Sequence, residues 1–73
     1  MSIDYERMRV EYPKLKGALT RAVKSGDPEK VRAACKKAVT VWNEVGAWPD
    51  QWADWQRALH DAFPRQYLSL EDL

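Results

Sequence analysis

The chain has 73 residues and a mass of 8.5 kDa, which is the size of one small domain. Hydrophobic residues make up 45% and charged residues 32%, so the composition excludes the disordered and fibrous classes. The 12 basic and 11 acidic residues leave a net charge of +1, and no apolar run approaches the ~20 residues of a transmembrane helix.

The first predicted helix spans residues 4–25. Its apolar residues recur in steps of three and four, the spacing of one helix face. They are Tyr5, Met8, Tyr12, Leu15, Leu19 and Ala22. Pro13 lacks the amide hydrogen of a helix interior, so we expect a kink or a fresh helix start there. Gly26 is the predicted C-terminal cap, because glycine adopts the left-handed conformation easily.

The second predicted helix spans residues 28–45 and ends at Gly46. Asp27 and Pro28 form a typical helix start, since the carboxylate accepts from free amides and proline suits the first position. At roughly 100° per residue, the apolar and the charged side chains fall on opposite faces. The apolar arc holds Val31, Ala34, Cys35, Ala38, Val41, Trp42 and Val45, and the charged face holds Glu29, Lys30, Arg32, Lys36 and Lys37.

The helical hairpin from Ala18 through the turn Gly26-Asp27-Pro28-Glu29 to Ala34 is similar to the helix turns of tetratricopeptide-type hairpins. Such proteins stack several copies of a helical hairpin into a solenoid. This chain contains no internal repeat, so the resemblance implies no function for it.

The third predicted helix spans residues 50–63 and ends before Pro64. We expect Asp50 or Trp48 to cap its start. Its apolar stripe holds Trp48, Trp52, Trp55, Leu59, Ala62 and Phe63. In the tail, residues 64–73, Ser69 can cap a short acidic turn. This tail either packs against the helices or extends away from them.

These elements predict an all-α protein, a small three-helix bundle with a kinked or broken N-terminal helix and a short C-terminal tail. The connections at residues 25–27 and 46–50 are short, so consecutive helices are expected to be antiparallel neighbours. No segment combines alternating polarity with β-branched residues and hairpin turns. We therefore expect residues 1–73 to form a single helical domain.

The side-chain inventory argues against an enzyme. The only cysteine, Cys35, lies on an apolar arc, where a thiol is typically inert. The only histidine, His60, has no second histidine or cysteine to complete a zinc site. The chain contains no glycine-rich phosphate loop or nucleotide fingerprint. We therefore predict no catalytic residue, no cofactor and no metal ion.

Charge is segregated along the chain. Residues 13–40 carry eight basic and two acidic side chains, whereas residues 41–73 carry two basic and six acidic ones. The basic face of the first two helices is typical of surfaces that contact phosphates. The acidic third helix has the wrong sign for reading a duplex, so contact with the backbone is the expectation. The residues predicted for nucleic-acid binding are Lys24, Lys30, Arg32, Lys36 and Lys37.

Four tryptophans lie within fourteen residues. Trp42 and Trp52 lie in the middle of their apolar stripes, so both are predicted core residues. Trp48 and Trp55 lie toward the edge of a stripe, where an indole stays half-exposed. Tryptophan is a typical anchor of protein interfaces, so these two residues are predicted to contact a partner.

The leading hypothesis is a cytoplasmic, non-catalytic protein–protein interaction module: an adaptor, an inhibitor or a regulatory subunit. Its partner is another protein or a second copy of the chain, as in a homodimer. The predicted partner-binding residues are Trp48, Trp55, Arg32, Lys36 and Lys37. The alternative is a protein that binds the phosphate backbone of nucleic acid through the basic face. A lone cysteine indicates a reducing compartment, and acidic residues near Met1 argue against a signal peptide. The short apolar runs argue against a membrane span.

Overall fold

The computed structural model describes residues 2–73, which form three α-helices and one short 3-10 helix. Helix α1 spans Tyr5–Ser25, α2 spans Pro28–Val45, α3 spans Trp52–Ala62 and the 3-10 helix η1 spans Leu70–Asp72. Residues 2–73 contain no strand, so the predicted all-α class is confirmed. None of the helices in this part of the chain is both long enough and apolar enough to cross a membrane.

Local capping chemistry defines the ends of α1 and α2. The Asp27 carboxylate accepts from the Glu29 amide at 3.0 Å and starts α2, as predicted. Gly26 and Gly46 take left-handed conformations with φ of 72° and 93°, and each ends the helix before it. A side chain at either position would be strained in this conformation, which explains why glycine occupies both.

Helix α1 passes through Pro13 without interruption. It is one continuous element from Tyr5 to Ser25, so the expected fresh start does not occur. Pro13 is exposed, as is Arg9, whose carbonyl loses the hydrogen bond that a residue other than proline would donate. A carbonyl on the solvent side of a helix is open to water, so the missing hydrogen bond costs little there and the helix continues.

The start of α3 differs from the prediction. Neither Asp50 nor Trp48 caps it; Gln51 occupies the N-cap position and makes no side-chain capping bond. Instead the backbone closes the first turn, because the Trp52 amide donates to the Pro49 carbonyl at 3.1 Å. The helix therefore begins two residues later than predicted.

Helix α2 is central and packs against α1, α3 and η1. Its predicted apolar arc is confirmed as the main wall of the core, with Ala34 only half-buried. The molecule measures 38 × 22 × 16 Å. The buried core holds Leu15, Ala22, Val31, Cys35, Ala38, Val39, Val41, Trp42, Val45, Trp55, Leu59 and Leu70.

The C-terminal tail packs against the helices. Leu70 is buried in the common core, and the Ser69 hydroxyl accepts from the Glu71 amide at 3.3 Å, as its predicted capping role requires. Gln56 of α3 binds the backbone of the tail through both polar atoms of its side-chain amide. Its Nε2 donates to the Leu68 carbonyl at 2.8 Å, and its Oε1 accepts from the Leu70 amide at 3.0 Å.

Candidate functional site

Five aromatic rings form a continuous chain from α1 through the core to the surface. The ring centroids lie 6.3 Å apart from Tyr12 to Trp55, 5.2 Å from Trp55 to Trp42, 5.5 Å from Trp42 to Trp48 and 6.3 Å from Trp48 to Trp52. Trp42 and Trp55 meet edge to face at 86°, an arrangement that the ring quadrupoles favour. The chain of rings therefore ties α1, α2 and α3 together.

Two tryptophans exchange their predicted environments. Trp55, expected to be half-exposed, is 1% exposed, whereas Trp52, expected in the core, is 45% exposed. Trp55 lies one turn into α3, where rings from both other helices cover it. Trp52 lies in the first turn, at the end of the chain of rings. The prediction that Trp55 is a partner-binding anchor is therefore wrong, because its side chain is inaccessible in the folded protein.

Trp48 and Trp52 form an aromatic face at the start of α3. Trp48 is half-buried, and its Nε1 donates to the Asn43 Oδ1 at 2.9 Å, which fixes the indole. Trp52 contacts Trp48 and otherwise faces solvent. This aromatic face is rigid on its inner side and open on its outer side, as an interface anchor requires.

The predicted partner-binding residues do not form one surface. Arg32 and Lys36 lie in the first half of α2, while Trp48 follows its C-terminal end. At ~1.5 Å per helical residue, Arg32 and Trp48 are separated by roughly 20 Å along the axis. The aromatic face and these cations therefore belong to different regions of the molecule.

The predicted nucleic-acid-binding residues divide into two groups. Lys30 and Lys37 line a shallow groove of about 380 Å³ between α1 and α2, together with Arg21 and Ser25. Lys24, Arg32 and Lys36 are exposed but do not line this groove. Its floor consists of small side chains: Ala18, Ala22, Ala33 and Ala34. Arg21, which the predicted set omits, is therefore a residue of this site.

A seven-residue spacing relates charged residues along the two helices that form this groove, and Arg21, Lys30 and Lys37 of these rows line the groove itself. One row is Arg7, Lys14 and Arg21 on α1, and the other is Lys30, Lys37 and Glu44 on α2. The helices are antiparallel, and Arg7 Nη2 contacts Glu44 Oε2 at 2.8 Å. This ion pair aligns the two rows, so Lys14 falls opposite Lys37 and Arg21 falls opposite Lys30. We call Lys14, Arg21, Lys30 and Lys37 the basic seam.

The basic seam is electrostatically uncompensated. Opposite charges across such a helix pair stabilise it, whereas the like charges of the basic seam repel. Arg7–Glu44 is the only ion pair in residues 2–73, so none of the four cations forms an ion pair with a carboxylate. The seam combines a planar guanidinium, which binds oxyanions through two hydrogen bonds, with ammonium groups that act as point charges. Its chemistry suits an extended anion.

A second groove, of about 410 Å³, lies where the turn between α1 and α2 meets α3. We call it the acidic groove. Its apolar lining comes from Val23, Pro28, Val31, Ala58 and Ala62, and its charged groups are Asp27, Asp54, Arg57 and Asp61. Sequence reasoning missed this groove because its residues come from three separate segments. The described residues, 2–73, contain no group of side chains that could hold a metal ion.

The environment of Cys35 makes its thiol unreactive. The side chain is buried, and its Sγ donates to the Trp55 carbonyl over 3.8 Å. Desolvation by burial raises the pKa of this thiol from its ordinary 9.0 to about 11. The thiolate, which is the nucleophilic form, is therefore scarce at neutral pH.

We expect the folded protein to protect Cys35 from a thiol reagent such as Ellman's reagent at pH 8. Labelling in urea should be faster by a factor on the order of 10³, because reaction requires unfolding.

The raised pKa of Cys35 also makes stability depend on pH. Since folding raises this pKa, the stability that the protonated thiol contributes is fully present below pH 9.0 and is lost as pH rises toward 11. The loss approaches ~1.4 kcal/mol per unit of pKa difference. Cys35→Ala should lack this part of the alkaline loss of stability. If the variant loses stability as the wild type does, other titrating groups cause the loss.

Comparison with known proteins identifies no relative. No protein-family model, no curated protein and no solved structure matches this chain. The basic seam, the aromatic face and the acidic groove are therefore the basis for assigning a function.

Proposed function

We propose that this protein is a non-catalytic binding module whose basic seam contacts the phosphate backbone of a nucleic acid. One observation supports this most directly: Arg21, Lys30 and Lys37 line one groove and, like Lys14, have no ion-pair partner within residues 2–73. The register that the Arg7–Glu44 ion pair implies puts Lys14 opposite Lys37 and Arg21 opposite Lys30. A polyanion would turn both repulsive pairs into attractive contacts. A reducing cytoplasm suits the single free thiol, Cys35.

The length of the basic seam favours an extended ligand. Its two cross-helix pairs are seven residues apart, which is roughly 10 Å along the helices. A single phosphate cannot contact both pairs, whereas successive phosphates of one strand can. The alanine floor lets a backbone approach closely, and the tryptophans that could stack on bases are not part of the seam. Binding should therefore be independent of nucleotide sequence.

The first experiment is fluorescence anisotropy with labelled single- and double-stranded oligonucleotides. At roughly 50 mM salt we expect micromolar affinity for a strand of about 20 nucleotides. With four phosphate contacts, counterion release should weaken duplex binding by about 100-fold at roughly 200 mM salt. Absence of binding at the lower salt would overturn the proposal.

Reversing two seam charges should weaken binding much more than the same reversal elsewhere. We expect Arg21→Glu with Lys37→Glu to reduce affinity by more than ~10-fold, because two contacts become repulsive. The matched control is Arg32→Glu with Lys36→Glu, which changes the net charge equally but lies outside the groove. This control variant should lose only about twofold in affinity for the oligonucleotide. Equal losses in both variants would show that net charge, not the seam, governs binding.

The same titration also tests whether the ligand of the seam is an acidic protein. A labelled polyglutamate of matched charge is added in place of the oligonucleotide. Tighter binding of polyglutamate, with the same sensitivity to Arg21→Glu and Lys37→Glu, would assign the seam to an acidic protein. Weaker binding of polyglutamate supports the phosphate backbone as ligand.

The second candidate function is protein–protein interaction through the aromatic face, as an adaptor, inhibitor or regulatory subunit. The observation that favours it is the 45% exposure of Trp52 over a fixed Trp48. A photo-crosslinking residue at position 52 should capture one defined protein, which the same residue at exposed Thr40 does not. With that protein purified, Trp52→Ala should weaken binding at least ~10-fold. Unchanged affinity would remove Trp52 from the interface.

A further inference from the structure

Tyr67 is the most exposed of the large hydrophobic side chains, at 97%, in the segment between α3 and η1. Arg65, two residues earlier, is also exposed and has no ion-pair partner within residues 2–73. The segment thus exposes both an aromatic ring and a cation to solvent. An aromatic side chain in water forgoes the burial of roughly 150–250 Å² that such rings typically gain, so a receiving surface would stabilise it.

The acidic groove has the complementary chemistry. Its apolar lining includes Val23, itself 52% exposed, and its volume of about 410 Å³ can admit a phenol ring. Asp61 provides a carboxylate that a guanidinium can bind through paired hydrogen bonds, and Asp54 and Asp27 outnumber Arg57 among the other charged groups of the lining. The residues that line this groove are separate from those of the basic seam.

We propose that two copies of this chain form a reciprocal dimer, in which Tyr67 and Arg65 of each copy occupy the acidic groove of the other. The ring lies on the apolar lining, and Arg65 pairs with Asp61. Tyr67, Val23 and Asp61 are otherwise exposed to solvent, so association buries apolar area and brings opposite charges into contact. The inference is independent of the proposed nucleic-acid contact.

The position of the two surfaces favours closure at two copies. Ala62 lines the acidic groove, and Tyr67 follows it by five residues, a span of at most ~18 Å. Since the inserted segment and the groove lie close together, one two-fold axis can satisfy both contacts at once. A head-to-tail arrangement would leave a free groove at one end and a free Tyr67 at the other.

The contact is small, so association should be weak. Two inserted side-chain pairs bury less than the ~1,200 Å² that separates stable interfaces from transient ones. Analytical ultracentrifugation should therefore cover about 10 µM to 1 mM. We expect a reversible shift from 8.5 kDa to twice that mass. A wild-type chain that stays monomeric throughout, or that forms species larger than a dimer, would overturn the reciprocal arrangement.

Tyrosine variants test the inserted ring. Tyr67→Ala should weaken dimerisation at least ~10-fold, while Tyr67→Phe, which keeps the ring, should dimerise like the wild type. The matched control is Tyr5→Ala, because Tyr5 is a second exposed tyrosine on a different element. Dimerisation of Tyr67→Ala at wild-type strength would overturn the proposal.

A charge exchange tests the pairing and separates it from misfolding. Arg65→Glu and Asp61→Arg should each weaken the dimer at least ~10-fold, since each places like charges in contact. With both substitutions in one chain, the introduced glutamate of one copy faces the introduced arginine of the other, which should restore dimerisation. A double variant no better than either single variant would contradict the assigned contact.

Discussion

Trp55→Ala is expected to remove a large part of the stability of this protein. Trp55 contacts Tyr12 on α1 and Trp42 on α2, and it is fully enclosed between them. Truncating a buried tryptophan to alanine costs about 3–5 kcal/mol, because apolar burial is lost and a cavity is left. A domain of this size has a total stability of only about 4–11 kcal/mol. Urea denaturation followed by circular dichroism measures the loss.

Trp52→Ala is the matched control for this measurement. It removes the same side chain from the same helix, but Trp52 contacts only Trp48 among the aromatic rings and lies at the surface. We expect a loss of about 1 kcal/mol or less, since half-exposed residues forgo little burial. Equal destabilisation by both substitutions would contradict the environments that the structure assigns to the two residues.

The contrast between Trp52 and Trp55 shows what helical periodicity cannot determine. Both residues fall on the apolar stripe of α3, and the pattern alone does not say which part of a stripe a neighbouring helix covers. Coverage depends on where α3 crosses α2, which is set by packing between distant segments. A Trp55 variant that unfolds would also lose binding, so it cannot show whether Trp55 contacts a partner. Trp52 is therefore the residue that tests the aromatic face.

Local signals are the most predictable part of the fold. Asp27, Gly26, Gly46 and Ser69 act where their capping chemistry predicts, because a cap involves only residues within one turn. The effect of Pro13 is less predictable, because the free-energy cost of its missing hydrogen bond depends on which side of α1 it faces. Pro13 faces solvent. A missing hydrogen bond is tolerated where water replaces it.

The basic seam is partly readable from the sequence. The seven-residue spacing of Arg7, Lys14 and Arg21 is visible, as is that of the row on α2. The alignment of the two rows follows only from the Arg7–Glu44 ion pair, which joins residues 37 positions apart. The acidic groove is not readable at all, because α3 and the turn between α1 and α2 meet only in the folded chain.

Leu70→Ala is expected to produce the second large loss of stability, about 2–5 kcal/mol, through the cavity that it leaves. Leu70 is 1% exposed, and η1 packs against both α2 and α3. Its backbone is held by Gln56, which bonds the Leu70 amide and the Leu68 carbonyl. Gln56→Ala should cost about 1–3 kcal/mol, because two partly buried backbone groups lose their partner.

Tyr67→Ala is the control for these two variants, since Tyr67 lies in the same segment but does not pack against the core. At concentrations where the chain is monomeric, it should leave the unfolding midpoint unchanged. Limited trypsin digestion gives a second readout, because cleavage needs a locally unfolded segment around the bond after Arg65, and a detached tail supplies one. Cleavage there should accelerate in Leu70→Ala and Gln56→Ala under native conditions, while Tyr67→Ala keeps the wild-type rate. Loss of stability without faster cleavage would mean that the tail stays docked without Leu70.

A docked tail also sets the position of Tyr67. Leu70→Ala and Gln56→Ala should therefore weaken the dimer, although neither residue touches the acidic groove.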